Sequence, residues 1–479
     1  MTGKKPRVLV VAPDPLGMYG AGVRAYHFAR RLAEAAELHL VVLDKSELQP
    51  MSMELRERCA SVLELPNGSP SPRRGGGMRA AVRKARKICS VLVCPWRRQG
   101  RDLLHAAVFH GHHPTSRSSR GLGHLARRVY VRMLEAEVAA GTWWFGLQPA
   151  RSVERALAFD RLRPIIQQRW SGKRFDVVWF ENSYLFPQAI DLRASFPGAV
   201  LVCNAHNVEY SLHQRLGDIA VDHSLKRWFR VQASAMRNLE RRAFSASLLT
   251  FACSKDDERL IHGIAPQACT AVVPNGVDVD YFRARGDRAQ EPRLLFPGTM
   301  SYRPNQDAVA WFVRDILPLI LRRVPECRFC IAGLAAKANF GHLPETMPYV
   351  EIASDVPDMR PYYEQASVVV VPLRAGSGVR TKIQEAMSMG RAVVSTTLGA
   401  EGIELTPERH LRLADEPVEF AARVVELLQS PGRRHELEKQ GRELVCAKFD
   451  WKMLTAGAIR VFEERLARPT CQTADRPSR

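Results

Sequence analysis

The chain of 479 residues has no run of about 18 apolar residues, so nothing in it reads as a membrane-spanning helix. Nor does it open like a secretory leader. Lys4, Lys5 and Arg7 precede only the short apolar run Val8 to Val11, which Pro13 ends. Cysteine is present, ten times, but in no metal-binding arrangement: no pair has zinc-finger spacing with a matching second pair. Two residues separate Cys327 from Cys330 in an expected strand, whose alternation sends their side chains to opposite faces. Scattered thiols inside apolar runs fit buried residues in a reducing cytosol. No repeat of solenoid type is visible. Acids are nearly absent from one long stretch. Between Arg73 and Arg128 arginines and lysines recur, and Asp102 is the single acid.

What is there is basic. The formal net charge is +20 and the pI about 9.9, which bears on partners and solubility more than on fold. The stretch from Arg79 through Arg101 interleaves Val82, Ile88, Val91, Leu92, Val93 and Trp96 with its cations, as a segment lying on an anionic surface does. A second cluster comprises Lys226, Arg227, Arg230, Arg237, Arg241 and Arg242. No nucleic-acid-binding motif accompanies either cluster, so an anionic membrane surface is the expected partner and nucleic acid is not. A solvated insertion is the plainer alternative for the first.

Length implies two domains of roughly 200 residues each. The first opens as a strand (Val8 to Val11), a Gly/Pro-rich loop (Pro13 to Gly22) and a helix (Val23 to Ala35), with a further strand at Leu38 to Leu43. Regular patterning lapses near 66–146, read as a basic insertion. It resumes with strands at Asp176 to Phe180, Ala199 to Asn204 and Leu248 to Ala252, and a long basic helix from about His223 to Ser245. A polar stretch after Asp280 marks the boundary. A second series follows: strand Leu294 to Phe296, loop Gly298 to Asn305, helix Ala308 to Arg323 and strand Arg328 to Ala332. Further on come the strands Val368 to Val371 and Ala392 to Val394, then helices near Glu416 to Gln429 and Arg433 to Ala447, parted by the breaker pair Pro431-Gly432.

The strongest chemical signal lies between Val371 and Ala392. Gly376, Ser377 and Gly378 follow a buried strand and feed a helix, with Arg380 and Lys382 beside them and Glu385 one turn on. Ligands of open α/β sheets bind beyond the strands' carboxyl ends. Backbone N–H groups at such a loop suit phosphate. Alone, the same pattern describes an ordinary βαβ unit with two solvated cations.

Other segments then matter. Asn204-Ala205-His206-Asn207-Val208-Glu209, Pro274-Asn275-Gly276-Val277-Asp278, Phe296-Pro297-Gly298-Thr299-Met300 with Arg303-Pro304-Asn305, Ile331-Ala332-Gly333 and Gln384-Glu385-Ala386-Met387-Ser388-Met389-Gly390 occur in this order. Together the chain resembles retaining GT-B glycosyltransferases of the family-4 type, the glycosyl transferases group 1, over most of its length outside the insertion. The resemblance implies an α/β fold of two facing Rossmann-like domains with a cleft between them: 1–285 on the acceptor side, 286–449 binding the nucleotide sugar, a terminal helix at 450–467 packing back on the first domain, and a disordered tail at 468–479.

It further implies sugar transfer from a nucleotide-sugar donor to a glycan, lipid-linked or other acceptor, with retention at the anomeric carbon. Neither cofactor nor metal is expected, and no Asp-x-Asp pair stands at a strand end. The setting it suggests is cytoplasmic, at the inner face of the membrane, in cell-surface polysaccharide or glycoconjugate synthesis. By the same resemblance His206 contacts the donor sugar near the reacting centre, whereas by itself it reads as a turn histidine bonded to backbone. Gly20, Gly22, Gly298, Thr299, Arg303, Gly376, Ser377, Gly378, Arg380, Lys382 and Glu385 bind the donor, Glu385 at ribose hydroxyls. Asn275-Gly276 is read as a structural turn.

Two departures stand out. Ser377 replaces the first carboxylate of a pair that the family often has. Thr299 and Pro304 stand where many members carry Arg and Lys, so diphosphate charge falls on Arg380 and Lys382, with Arg303 assisting. These departures leave two alternatives open: a non-catalytic anionic-surface-binding module on a GT-B scaffold, and a GT-B nucleotide-sugar epimerase.

Overall fold

The computed structural model describes residues 5–13, 22–43, 52–64, 163–219, 223–284, 291–375 and 381–468. Gly20, Gly376, Ser377, Gly378, Arg380, the basic insertion near 66–146 and the tail from 469 lie outside them.

Two parallel sheets organise the chain. The first contains β1 (Arg7–Ala12), β2 (Glu37–Val42), β3 (Ser61–Glu64), β4 (Val177–Glu181), β5 (Val200–Asn204), β6 (Leu249–Ala252) and β7 (Thr270–Val272). Their spatial order is β3-β2-β1-β4-β5-β6-β7. The second contains β8 (Arg293–Pro297), β9 (Arg328–Gly333), β10 (Val350–Ser354), β11 (Val368–Val371), β12 (Ala392–Ser395) and β13 (Arg412–Leu413), ordered β10-β9-β8-β11-β12-β13. Each sheet starts at its middle, runs to one edge, then crosses back over its first strand. That doubly wound order leaves a switch point between β1 and β4 and another between β8 and β11, where ligands of such sheets bind. The fold is GT-B, with two Rossmann-like domains. Residues 65–162 fall in the connection from β3 to β4.

The strands are apolar runs because a parallel sheet is covered by helices on both faces. All four valines of β11 are fully buried, as are Val177, Val178, Trp179 and Phe180 in β4. Cys327, just ahead of β9, and Cys330 within it both lie in the second core, and burial pushes each thiol up to about 12. A helix, α1 (Val23–Ala35), follows β1. Helices α2 (Glu209–Ile219) and α3 (His223–Ala246) follow β5, and α4 (Lys255–Ile264) follows β6.

In the second half α5 (Arg303–Trp311) begins five residues earlier than the apolar spacing suggests. Pro304 fits its first turn, where no N–H is needed and φ is already helical. Among later helices, α6 (Thr381–Ser388) follows β11, and α7 (Pro417–Gln429) is separated from α8 (Pro431–Lys448) by Ser430 alone. Pro431 thus opens a helix as its first residue rather than merely ending one. The last helix, α9 (Trp451–Ala467), has Asp450 as N-cap, its carboxylate accepting from Lys452 N. This helix packs into the first core: Trp451 stacks on His27 at 5.0 Å and Phe462 meets Trp179 edge-on at 5.7 Å.

Candidate active site

At the carboxyl end of the first sheet, Glu181 closes β4 and Asn204 closes β5, both almost fully buried. A carboxylate in that setting needs donors. Trp179 Nε1 donates to Glu181 Oε1 at 2.7 Å, and Asn204 Nδ2 to Oε2 at 2.9 Å. His206 Nε2 lies 2.7 Å from Oε2. The imidazole is therefore bonded to a carboxylate, not to backbone, as a turn histidine on its own would be. Cys253 Sγ donates to the His206 and Ala205 carbonyls at 3.1 and 3.3 Å, fixing the main chain beneath the ring.

Arg24 joins the same network. It sits in the first turn of α1, where the helix dipole opposes a cation, and only 3% of it is exposed. Its guanidinium donates to Asn204 Oδ1 at 2.8 Å, Val273 O at 2.8 Å and Asn275 Oδ1 at 3.0 Å. Gly22, the residue before α1, has φ −83°, a conformation open to any residue, so glycine's freedom is not used there.

The second sheet contributes a tight turn after β8. Gly298 has φ +152° and Gly333 φ +135°. A Cβ on Gly333 would lie 2.1 Å from the Gly298 carbonyl oxygen, so this close approach requires glycine at 333, while Gly298 is required by its own positive φ. Asn305 Nδ2 donates to Thr299 O at 2.9 Å, and its Oδ1 accepts from Lys382 Nζ at 2.9 Å. The ammonium also stands 4.2 Å from the centre of the Phe296 ring, a cation–π contact. A Cβ on Gly298 would come 3.0 Å from Lys382 Nζ. The turn and the lysine are thus neighbours, and glycine keeps the ammonium's approach open.

Glu385, one turn along α6, accepts from the buried Tyr363 hydroxyl at 2.7 Å. Burial pushes its carboxyl above the ordinary range, opposed by the Tyr363 hydrogen bond and the Lys382 charge. Arg303 opens α5 with its side chain exposed, and nothing in the described structure ties it to Lys382.

Asn275 joins the two halves. Its side chain accepts from Arg24, and its carbonyl accepts from Gln384 Nε2 in α6 at 2.6 Å. Gly276 beside it is structural, since a Cβ there would meet Phe449 O at 2.6 Å. Ala375, immediately ahead of the glycine loop, is buried in a cluster with Leu212, Leu216 and Phe229 of α2 and α3. Arg215 of α2 forms a two-pronged ion pair with Glu401, one contact at 2.8 Å. The strand end that bears His206 is thus linked through Arg24 and Asn275 to the helix that bears Lys382.

Glu181, Arg24 and Tyr363 escape a motif reading. Two of them leave a signal in the sequence: Glu181 is an acid ending a wholly apolar strand, and Arg24 is a cation at a helix start.

Comparison with known proteins agrees with this architecture. Residues 291–430 match the model of the family described as glycosyl transferases group 1. Residues 291–430 are thus similar to that family. The matched segment holds the Gly298 turn, Lys382 and Glu385. A curated relative, an uncharacterized 44.6 kDa protein in the cps region of Klebsiella pneumoniae, is 21% identical over 178 residues, 36% of this chain. The match spans just under half of that relative's length, 45%. Among solved structures, sucrose-phosphate synthase from Thermosynechococcus elongatus superposes with a TM-score of 0.63 at 14% identity, covering 97% of this chain and all of that one. HepE of Anabaena in complex with UDP-glucose gives a TM-score of 0.57 at 12% identity, covering 96% and 99%. At such identities the likeness is one of fold. Among the described residues, no helix is long and apolar enough to cross a membrane.

Proposed function

We propose that the protein transfers a sugar from a nucleotide-sugar donor to a glycan or lipid-linked acceptor, with retention at the anomeric carbon and without a metal ion. The observation that supports this reading most is the junction at Asn275, which ties the His206 side of the first sheet to the Lys382 side of the second. A diphosphate leaving group develops negative charge as the sugar departs, and fixed cations and backbone dipoles stabilise it best when they need not reorganise. Lys382, anchored by Asn305 and Phe296 beside the Gly298 turn, is one such cation. Arg380, two residues earlier in sequence, supplies a second, and the backbone of Gly376, Ser377 and Gly378 supplies N–H donors. The Glu385 oxygen not engaged by Tyr363 takes ribose hydroxyls, a carboxylate having room for several donors. Thr299 and Arg303 border the phosphates, Gly20 and Gly22 approach them from the first domain, and His206 meets the sugar. HepE crystallised with UDP-glucose supports a nucleotide-sugar donor, and a relative from a cps region supports a role in cell-surface polysaccharide synthesis.

The same reading places the protein at the cytoplasmic face of a membrane. Helix α3 supports this. Its exposed side carries Arg227, Arg230, Arg237 and Arg241 with Val231 among them, and its one acid, Glu240, points inward and is fully buried. The experiment that tests the transferase reading is release of nucleoside diphosphate from a panel of nucleotide sugars: one donor turns over if it holds, and none if it fails.

A further inference from the structure

We propose that Glu181 is a positioning residue: it holds His206 in the tautomer protonated at Nε2, so that Nδ1 is a hydrogen-bond acceptor for a hydroxyl of the bound sugar. The second clause rests on the transferase reading. The first does not.

Glu181 is 1% exposed and accepts at both oxygens, from Trp179 Nε1 and Asn204 Nδ2, and His206 Nε2 lies 2.7 Å from Oε2. Two of these partners, an indole and an amide, can only donate here. With both oxygens already taking N–H donors and the Arg24 guanidinium one amide away, Glu181 is the acceptor of the third contact, so the proton between Glu181 and His206 sits on Nε2. The tautomer of an imidazole is set by what its other nitrogen bonds. A neutral ring protonated at Nε2 carries its lone pair on Nδ1. Nδ1 has no hydrogen-bond partner among the described residues, and 17% of the side chain remains exposed. It is the part of the ring left for a ligand.

Asn204 explains why the arrangement is rigid. Its amide nitrogen donates to Glu181 and its oxygen accepts from Arg24, so neither end can flip without breaking a buried hydrogen bond. Arg24 in turn is held by Val273 O and Asn275 Oδ1. The buried carboxylate thus has a buried cation one amide away, and the histidine is left free of the task of neutralising it. Asn275 carries this frame to α6, which bears Lys382. Orientation of His206 is thereby referenced to the donor side of the junction.

The test uses the full chain with 15N-labelled histidine, the His206 signals being identified by their loss in His206→Gln. The parent should show the Nε2–H pattern of long-range nitrogen–proton couplings for His206 at neutral pH. Glu181→Gln presents an amide N–H₂ where one acceptor was, and should convert His206 to a mixed or Nδ1–H pattern. Glu181→Asp keeps the charge on a shorter arm and should retain Nε2–H at least in part. With a nucleotide sugar that the parent turns over, Glu181→Gln should lower kcat by at least tenfold, with a smaller change in KM. An Nδ1–H signal for His206 in the parent overturns the proposal whether or not Glu181→Gln folds, and so does a Glu181→Gln spectrum identical to the parent's. If no nucleotide sugar turns over while the coupling patterns are as described, the positioning role stands and the transferase reading falls.

Discussion

At the scale of single residues, the two glycines of the second sheet make the firmest commitment. Gly333 combines φ +135° with a Cβ position 2.1 Å from the Gly298 oxygen. A left-handed conformation costs roughly 1–3 kcal/mol for other residues, and forcing a methyl into packed backbone costs about as much again. Gly333→Ala should therefore lose roughly 2–6 kcal/mol, read by urea or thermal unfolding. An unchanged midpoint would contradict the approach of the two turns. These glycines are visible in the sequence as strand-end glycines, but their contact is not. Likewise Lys382 is legible as a cation near a helix start, whereas its bond to Asn305 spans 77 residues. Glu181 and His206 are 25 apart. Pairings of this kind are made by the sheets, which bring strand ends together irrespective of distance along the chain. Local pattern encodes the strand ends and not their neighbours.

At the scale of elements, the strands were readable because full burial on both faces demands continuous apolar runs. Val368 to Val371 and Val177 to Phe180 leave little choice. Shorter or less apolar pieces were not, as β13 and β10 show; four of the five residues of β10 are only partly buried. Two helices carry predictions. The docking of α9 places Trp451 over His27, whose burial pushes its imidazole down to about 3, with Arg30 adding to the effect. An imidazole depressed in the fold takes up its proton more readily when the chain unfolds. Its contribution is complete above about pH 6.5 and declines as pH falls toward 3. At pH 5 the loss is about 2 kcal/mol. Melting between pH 8 and 5 should show it, and His27→Phe, which keeps the ring, should shrink the fall. His213, pushed down to about 4, leaves a remainder. An identical fall in parent and variant would refute the assignment.

Helix α3 presents Arg227, Arg230, Arg237 and Arg241 on one side over about 21 Å, at 1.5 Å per residue. Each cation close to an anionic leaflet contributes about 1 kcal/mol. Sedimentation with phosphatidylglycerol vesicles should be strong at low salt, fall steeply as salt rises, and disappear when Arg227, Arg230, Arg237 and Arg241 become Glu. A parent that ignores these vesicles at low salt would remove the membrane reading.

At the scale of the whole molecule, Asn275 links two separate strand-end clusters, one on each sheet. The first cluster has an oriented imidazole with a buried carboxylate and guanidinium behind it. The second has a glycine turn with an anchored ammonium. A site of that make-up suits a ligand with a hydroxyl-rich end and a phosphate-rich end. Nucleoside diphosphate release, followed for UDP-, GDP-, ADP- and dTDP-sugars with a cell-envelope extract as acceptor and EDTA throughout, tests this most directly. One donor should turn over under chelation, and Lys382→Ala should reduce that turnover roughly 10- to 150-fold, the equivalent of one charge-assisted hydrogen bond of about 1.5–3 kcal/mol. Absence of release from every donor, release that needs added magnesium or manganese, or undiminished release by Lys382→Ala would contradict the account.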